Sequence, residues 1–187
     1  MPTFSDIQNL TNTLKNSLED LGAYLVEQVQ IELKQQGHKA TGKLIDSVGY
    51  VVAGALGELE LEVSYLNYGS FVETGVTASR IPFGGNSSGK KTSLYIQALM
   101  DWIVIKRLAS ASNKVKAFAF AIANKHKKEG MPTRNSYKFS NNGRRTGFQS
   151  QVLSQEKKHI ETVLSNKVGE SMQVFITDLV NATLEKL

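Results

Sequence analysis

The chain has 187 residues, of which 41% are hydrophobic and 21% charged, with 3 prolines and no cysteine. This composition excludes collagen-like, mucin-like and wholly disordered chains, and the lack of cysteine excludes disulfides, thiolate metal sites and cysteine nucleophiles. The N-terminus lacks the basic and apolar regions of a signal peptide, and no run approaches the roughly 18 apolar residues of a membrane span. We therefore expect a soluble, unexported protein with a single domain over residues 1–187 and no contact with a membrane.

The net charge of +5 is distributed unevenly along the chain. Residues 1–89 hold 5 basic and 10 acidic side chains, whereas residues 90–187 hold 17 basic and 7 acidic ones. Such polarity favours one of two arrangements. The basic part contacts nucleic acid, or subunits pack head to tail with the acidic face of one against the basic face of the next.

A long amphipathic helix is predicted at the start of the chain. Ser5 and Gln8 have the spacing of a capping box, and Gly37 supplies a stop. Apolar residues recur between them at spacings of three and four: Leu10, Leu14, Leu18, Leu21, Leu25, Val29 and Leu33. At about 1.5 Å per residue the helix would be about 45 to 50 Å long, which is more than a compact core needs to cover.

A β-hairpin is predicted after this helix, because the apolar period changes to two. The first strand contains Val48, Tyr50 and Val52, the turn spans residues 54–57, and the second strand alternates apolar residues with glutamates. The apolar side chains of the second strand are Leu59, Leu61, Val63 and Tyr65. We expect the apolar face to lie against the first helix. Glu58, Glu60 and Glu62 form a row on the other face, either as a solvated surface or as a surface for a basic partner.

The remainder of the chain is predicted to be helices separated by two loops. A flexible loop covers residues 75–93, a helical hairpin follows from Leu94 to Gly130, and a long helix containing the apolar residues from Val152 to Leu184 ends the chain, with a bend at Gly169. Three aromatic side chains of the hairpin have helical spacing and are assigned to the core rather than to a base-stacking platform: Trp102, Phe118 and Phe120.

No residue pattern predicts catalysis, a cofactor or a metal. Residues 84–91 have the spacing of a phosphate loop, but Lys91 stands where a magnesium-binding hydroxyl belongs. His38, His126 and His159 are the only histidines, and neither cysteine nor a tight carboxylate cluster accompanies them. No nucleophile signature such as Gly-x-Ser-x-Gly is present. We expect no enzymatic activity and no cofactor.

The second loop, residues 131–147, is the strongest candidate for contact with a partner. It carries four basic residues with two aromatic residues between them: Arg134, Lys138, Arg144 and Arg145, with Tyr137 and Phe139. Such a segment is either a solvated loop or a phosphate-binding surface. No recognition helix or zinc finger accompanies it, so any contact with DNA would be non-specific and strongly dependent on salt.

Four segments, in this order, resemble the head-to-tail joining proteins of tailed bacteriophages, also known as tail-completion or neck proteins or minor tail components. Residues 40–48 read Ala-Thr-Gly-Lys-Leu-Ile-Asp-Ser-Val and residues 68–75 read Tyr-Gly-Ser-Phe-Val-Glu-Thr-Gly. Residues 99–103 read Leu-Met-Asp-Trp-Ile, and residues 119–123, Ala-Phe-Ala-Ile-Ala, precede Gly130. The chain departs from the family in its long basic insert before Phe148 and in its long C-terminal helix.

The predicted elements indicate an α+β fold, and the resemblance implies a structural role in the virion. The fold would have a long N-terminal helix on a small antiparallel β-sheet, an α-hairpin and a long C-terminal helix. Copies made in the host cytoplasm would form a ring at the head-to-tail junction or tail and contact portal, neck or tail proteins, with packaged double-stranded DNA as a further candidate partner.

Two placements of the charged segments in such a ring remain open. Glu58, Glu60 and Glu62, with Glu73, would form a subunit interface with the basic segment of a neighbour, or the basic segment would line the channel and hold DNA. The alternative from another functional class is a free protein that binds nucleic acid non-specifically.

Overall fold

The structure is a computed structural model that describes residues 4–55, 58–83, 92–133, 136, 143 and 145–184. Its helices and strands are α1 Phe4–Gln35, α2 Lys43–Asp46, β1 Gly49–Ala53, β2 Glu60–Ser64, α3 Gly69–Thr74, α4 Leu94–Ile105, α5 Ser112–Glu129 and α6 Phe148–Leu184, with a 3-10 turn at Ala78–Arg80. The predicted α+β architecture is confirmed. The long terminal helices, the two-stranded antiparallel sheet and the α-hairpin are all present.

The chain divides into two compact units. The first contains α1 as far as Ile31, the hairpin segment Ser47–Tyr65 and α6 from Gln149 onward. The second contains Glu32–Asp46 and Leu66–Phe148. The expectation of one domain over residues 1–187 stays a prediction.

In the first unit, the apolar face of the hairpin packs on α1 as predicted. Tyr50 pairs with Val63 and Val52 with Leu61, so these four side chains share one face of the sheet. Gly22 of α1 lies against this face. A Cβ atom there would stand 2.4 Å from Tyr50 Cδ2 and 2.8 Å from Leu61 Cδ1, so the missing side chain permits the close approach. Residues 56 and 57 of the predicted turn lie outside the described residues.

Helix α6 joins the first unit through its N-terminal half. Tyr24 of α1 donates a hydrogen bond of 2.6 Å from its hydroxyl to Glu156 Oε2, and its ring lies 4.6 Å from that of His159. The Tyr65 hydroxyl donates to Gln149 Oε1 at 2.8 Å. The helix continues without interruption through Gly169, where a bend was predicted.

The second unit has its core between α4 and α5. Buried side chains of both helices pack with Ile81 and Phe83: Ile96, Ile103, Val115, Ala119 and Ala123. The small Ala119 and Ala123 let the two helices approach closely and determine which face of α5 is buried. Trp102 and Phe120 pack against this core as predicted, but Phe118 is 47% exposed, so its assignment to the core is wrong. It lies about 100° around the helix from Ala119.

The ends of α1 differ from each other in how well the sequence predicted them. Gly37 has a φ of 79°. The His38 N–H donates to the Leu33 carbonyl at 3.0 Å, and the Gly37 N–H donates to the Lys34 carbonyl at 3.1 Å. This is the Schellman motif expected from the glycine at the end of the helix. The proposed N-cap is wrong, because Ser5 lies inside the helix that begins at Phe4.

Candidate functional site

A partly open cleft of about 130 Å³ in the second unit brings together three of the four segments that resemble the joining proteins. Ala40, Thr41, Gly42 and Leu44 come from the first segment, Tyr68 and Val72 from the second and Trp102 from the third, and the remaining lining residues are Gly37, His38, Lys106 and Arg145. These residues are separated by as many as 108 positions in the sequence, so the fold rather than local sequence creates the cleft.

Helix ends and turns place the cleft residues. The Schellman turn at the end of α1 places His38 as the second residue after Gln36. Gly42 has a φ of 77°, a conformation that favours glycine, and it directs the chain into α2. Lys106 is the C-cap of α4, one turn beyond Trp102, whose carbonyl accepts its backbone N–H. The cleft is therefore built on the rigid ends of three helices.

The cleft is basic. His38, Lys106 and Arg145 all line it, and the described lining residues include neither aspartate nor glutamate. Asp46, next to the cleft, is exposed, and its Oδ2 would lie 3.3 Å from a Cβ atom at Gly42. The cationic side chains of Lys106 and Arg145 therefore line a space beside the neutral His38, and no carboxylate is among its described lining residues.

Two buried nitrogen atoms of the cleft have no hydrogen-bond partner within the described residues: His38 Nε2 and Arg145 Nε. A buried polar atom without a partner costs about 1 to 3 kcal/mol, so such atoms are uncommon in folded proteins. Burial lowers the pKa of His38 to about 4, with the positive charges of Arg145 and Lys106 acting in the same direction and a hydrogen bond to the backbone of Arg145 opposing them. Burial also lowers the pKa of the Arg145 guanidinium.

The neutral state of His38 gives a testable dependence of stability on pH. Its pKa is about 4 in the folded chain against about 6.5 when unfolded, so the unfolded state binds the extra proton and stability falls as the pH drops from about 6.5 to 4. We expect a loss of roughly 2 kcal/mol after allowance for solvent around the partly exposed ring. Urea unfolding of the wild type and His38→Gln at pH 7, 6, 5 and 4.5 measures it. Equal slopes for the two proteins would contradict the prediction.

The second and fourth family-like segments meet at a pair of glycines. Val76 and Met131 form an antiparallel bridge in which each backbone N–H donates to the other carbonyl at 2.8 Å. Gly75 and Gly130 have φ values of 73° and 83°, and a Cβ on either would stand 2.6 Å from a backbone carbonyl oxygen of the bridge. Both glycines are therefore required by the backbone geometry.

The end of the basic segment is attached to α1 and α3. Gln36 Nε2 donates to Glu32 Oε1 at 2.7 Å and to the Thr146 carbonyl at 3.3 Å. Gly147 N–H donates to the Glu73 carbonyl at 2.8 Å. These contacts hold Arg145 at the cleft. The Glu73 side chain is half-buried, and its expected role in a subunit interface stays a prediction.

The predicted site residues fall into separate places. Glu58, Glu60 and Glu62 are exposed on the first unit, where Glu60 is opposite Ala53 and Glu62 is opposite Val51. Arg145 is half-buried in the cleft of the second unit. The other expected DNA or partner contacts, Arg134, Lys138 and Arg144, and the phosphate-loop-like residues 84–91 lie outside the described residues.

Sequence reasoning missed His38 and Lys106 as partners of Arg145. The histidine pattern raises only the question of a metal ligand at His38, and nothing in the sequence distinguishes Lys106 from the other lysines. The sole sequence signal was the position of His38 directly after the Gly37 stop, which does not indicate which distant residues it meets. Across the described ranges, no group of three or more histidine, cysteine, aspartate or glutamate residues has a geometry that could hold a metal ion.

Comparison of the chain with protein-family models, curated proteins and solved structures finds no match. Among the helices in the described part of the chain, none is both long enough and apolar enough to cross a membrane.

Proposed function

We propose that the chain is a structural protein of the head-to-tail junction of a tailed phage. Copies form a ring in the virion that connects the portal or neck to the tail. The protein acts by assembly, without a chemical reaction. The proposal rests on the motif resemblance, and the observation that carries it is the convergence of those motifs in the fold.

The four family-like segments lie close to one another in the fold. Three of them line the cleft, and the second and fourth meet at the bridge between Val76 and Met131. Gly75 and Gly130 of these segments occupy positions where a side chain would collide with backbone. The meeting of these segments in the second unit supports a shared architecture.

The exposed surfaces of the first unit are those of a protein that assembles with others. On α6, large apolar side chains recur every four residues and stand in solvent: Leu164, Val168, Met172 and Ile176. Residues at this spacing form one ridge on a helix. An exposed apolar ridge is typical of a protein-protein contact. We call these four residues the α6 ridge.

Substitution within the α6 ridge is expected to weaken assembly. Val168→Asp places a charge in the middle of the ridge, and its burial in a contact would weaken self-association by at least about tenfold, because an unpaired buried charge is costly. Asn166→Asp on the same helix is the matched control, since Asn166 is exposed and lies about 160° around the helix from Val168. Sedimentation velocity of both variants at the same concentrations measures the effect. Equal association of the two variants would contradict it.

Native mass spectrometry and negative-stain electron microscopy of the purified chain test the proposal directly. We expect a closed ring of one defined order, formed by the chain alone or on addition of the portal or neck proteins of the same phage. A protein that stays monomeric under all of these conditions would contradict ring formation.

A free, non-specific nucleic-acid-binding protein is the second candidate, and the surface of α5 favours it. Five exposed lysines lie on this helix: Lys114, Lys116, Lys125, Lys127 and Lys128. Lys125 forms an ion pair with Glu129. Binding of duplex DNA by the monomer, with affinity falling steeply as salt rises, would support this candidate.

A further inference from the structure

We infer that the cleft of the second unit is a carboxylate-binding site, and that its ligand is a glutamate of the Glu58, Glu60 and Glu62 row on a second copy of the chain. The inference deepens the proposed function, since it names the two surfaces that one ring contact would join.

The cleft offers donors and positive charge to an incoming group. The side chains of Lys106 and Arg145 are cationic, the Thr41 hydroxyl can donate, and Nε2 of His38 becomes a donor when the ring takes up a proton. The buried nitrogen atoms of His38 and Arg145 have no partner within the described residues. A carboxylate that enters the cleft would form charge-assisted hydrogen bonds with the cationic side chains of Lys106 and Arg145, and such bonds are stronger than neutral ones.

The size and walls of the cleft favour a single side chain. Its volume of about 130 Å³ is below the about 300 to 1,000 Å³ of sites that bind drug-sized molecules. Leu44, Val72 and Trp102 provide apolar surface for the methylene groups of a glutamate, while the basic groups receive its carboxylate. The phosphates of duplex DNA are fixed on a stiff, wide helix, so a recess of this size suits them poorly.

The acidic row is complementary to the cleft. Glu58, Glu60 and Glu62 are exposed, and no ion pair to any of them is present among the described residues. Glu60 and Glu62 lie on one face of β2, about 7 Å apart, so one carboxylate can enter a cleft while the other stays at its rim. The cleft and the row are different surfaces, so their contact between copies is heterologous, which is the kind of contact that generates rings.

Nitrogen-detected or long-range proton-nitrogen NMR spectra of the histidine rings test the inference on the full chain. The probe is a synthetic peptide of residues 58–64, and the matched control peptide carries Glu58→Gln, Glu60→Gln and Glu62→Gln. We expect saturable shifts at His38 with the acidic peptide, at least about tenfold weaker binding of the control, and a rise of about one unit in the pKa of His38 when the peptide is bound. His126 and His159 serve as internal references that should not move.

Variants assign the binding to the cleft. Lys106→Gln should weaken peptide binding by about three- to tenfold, whereas Lys114→Gln, an exposed lysine of α5 in the same unit, should leave it unchanged. The peptide titration of the unmodified chain remains decisive if Lys106→Gln does not fold. No response of His38, or equal binding of the two peptides, would overturn the inference.

Inorganic phosphate and a 20-base-pair duplex are added in separate titrations. A response of His38 to either of these without a response to the acidic peptide would also overturn the inference and identify a phosphate site. The result of the peptide titration can be distinguished from a test of the junction role. Rings that form without peptide binding would remove only the cleft contact, and peptide binding by a protein absent from virions would remove only the junction role.

Discussion

Replacement of Gly130 by alanine is expected to lower the free energy of unfolding by about 3 to 5 kcal/mol. The φ of 83° costs a residue with a side chain about 1 to 2 kcal/mol. The new Cβ would also stand 2.6 Å from the Val76 carbonyl oxygen and 3.2 Å from the Ala78 nitrogen, so the backbone must move. That movement weakens the two hydrogen bonds between Val76 and Met131, each of which contributes about 0.5 to 1.5 kcal/mol.

Two other glycines separate the causes of this loss. Gly147 has a φ of 70° but open space around the Cβ position, so Gly147→Ala should lose only the conformational part, about 1 to 2 kcal/mol. Gly169 lies inside α6 with no atom near its Cβ position, so Gly169→Ala should stabilise the helix by up to about 1 kcal/mol. Urea unfolding followed by circular dichroism measures all three variants. A Gly130→Ala protein as stable as Gly147→Ala would contradict the steric account.

Charge reversal of the acidic row is expected to abolish ring formation. The triple variant Glu58→Lys, Glu60→Lys and Glu62→Lys turns the face that would meet the basic cleft of a neighbour into a repulsive one. Like charges brought together in an interface cost several kcal/mol, which corresponds to a loss of affinity of at least about a hundredfold per contact. Size-exclusion chromatography with light scattering and electron microscopy measure the assembly.

The matched control reverses three exposed carboxylates of α1 in the same unit: Glu19, Asp20 and Glu27. It changes the net charge by the same amount, so a general effect of charge would appear in both variants. Rings formed normally by the variant of the acidic row would exclude its role in the contact and would favour the placement in which the basic segment lines the channel and holds DNA.

The long elements of the fold could be predicted because each repeats its apolar pattern many times. Leu21, Leu25, Val29 and Leu33 are buried at the predicted spacing on α1, and the alternation in the hairpin predicted which face contacts that helix. Helices α2 and α3 and the 3-10 turn have 4, 6 and 3 residues, which is too short for any period to appear. Their conformations depend on packing and on neighbouring glycines.

Burial was harder to predict than secondary structure. Leu94 has helical spacing yet is 89% exposed. It is the first residue of α4, directly after the N-cap Ser93, whose side chain accepts the Ile96 N–H. Met172 of the α6 ridge is 47% exposed and lies further along α6 than Glu156 and His159, where that helix contacts α1. An apolar period indicates that a face is apolar and not whether this chain or a partner covers it.

The cleft could not have been predicted from the sequence alone. His38, Lys106 and Arg145 belong to three distant segments, and a helix stop, a helix end and a loop anchored through Thr146 and Gly147 bring them together. None of these residues has a local pattern that indicates its neighbours. By contrast, the exposed position of Glu58, Glu60 and Glu62 followed directly from strand alternation.

Immunogold electron microscopy of purified virions tests the central claim most directly. The particles come from the phage whose genome encodes the chain, and the antibody is raised against the purified protein. The account predicts gold label at the head-to-tail junction or on the tail of intact or partly disrupted particles. Absence of label from disrupted particles with accessible epitopes would contradict the virion role and favour the free nucleic-acid-binding protein.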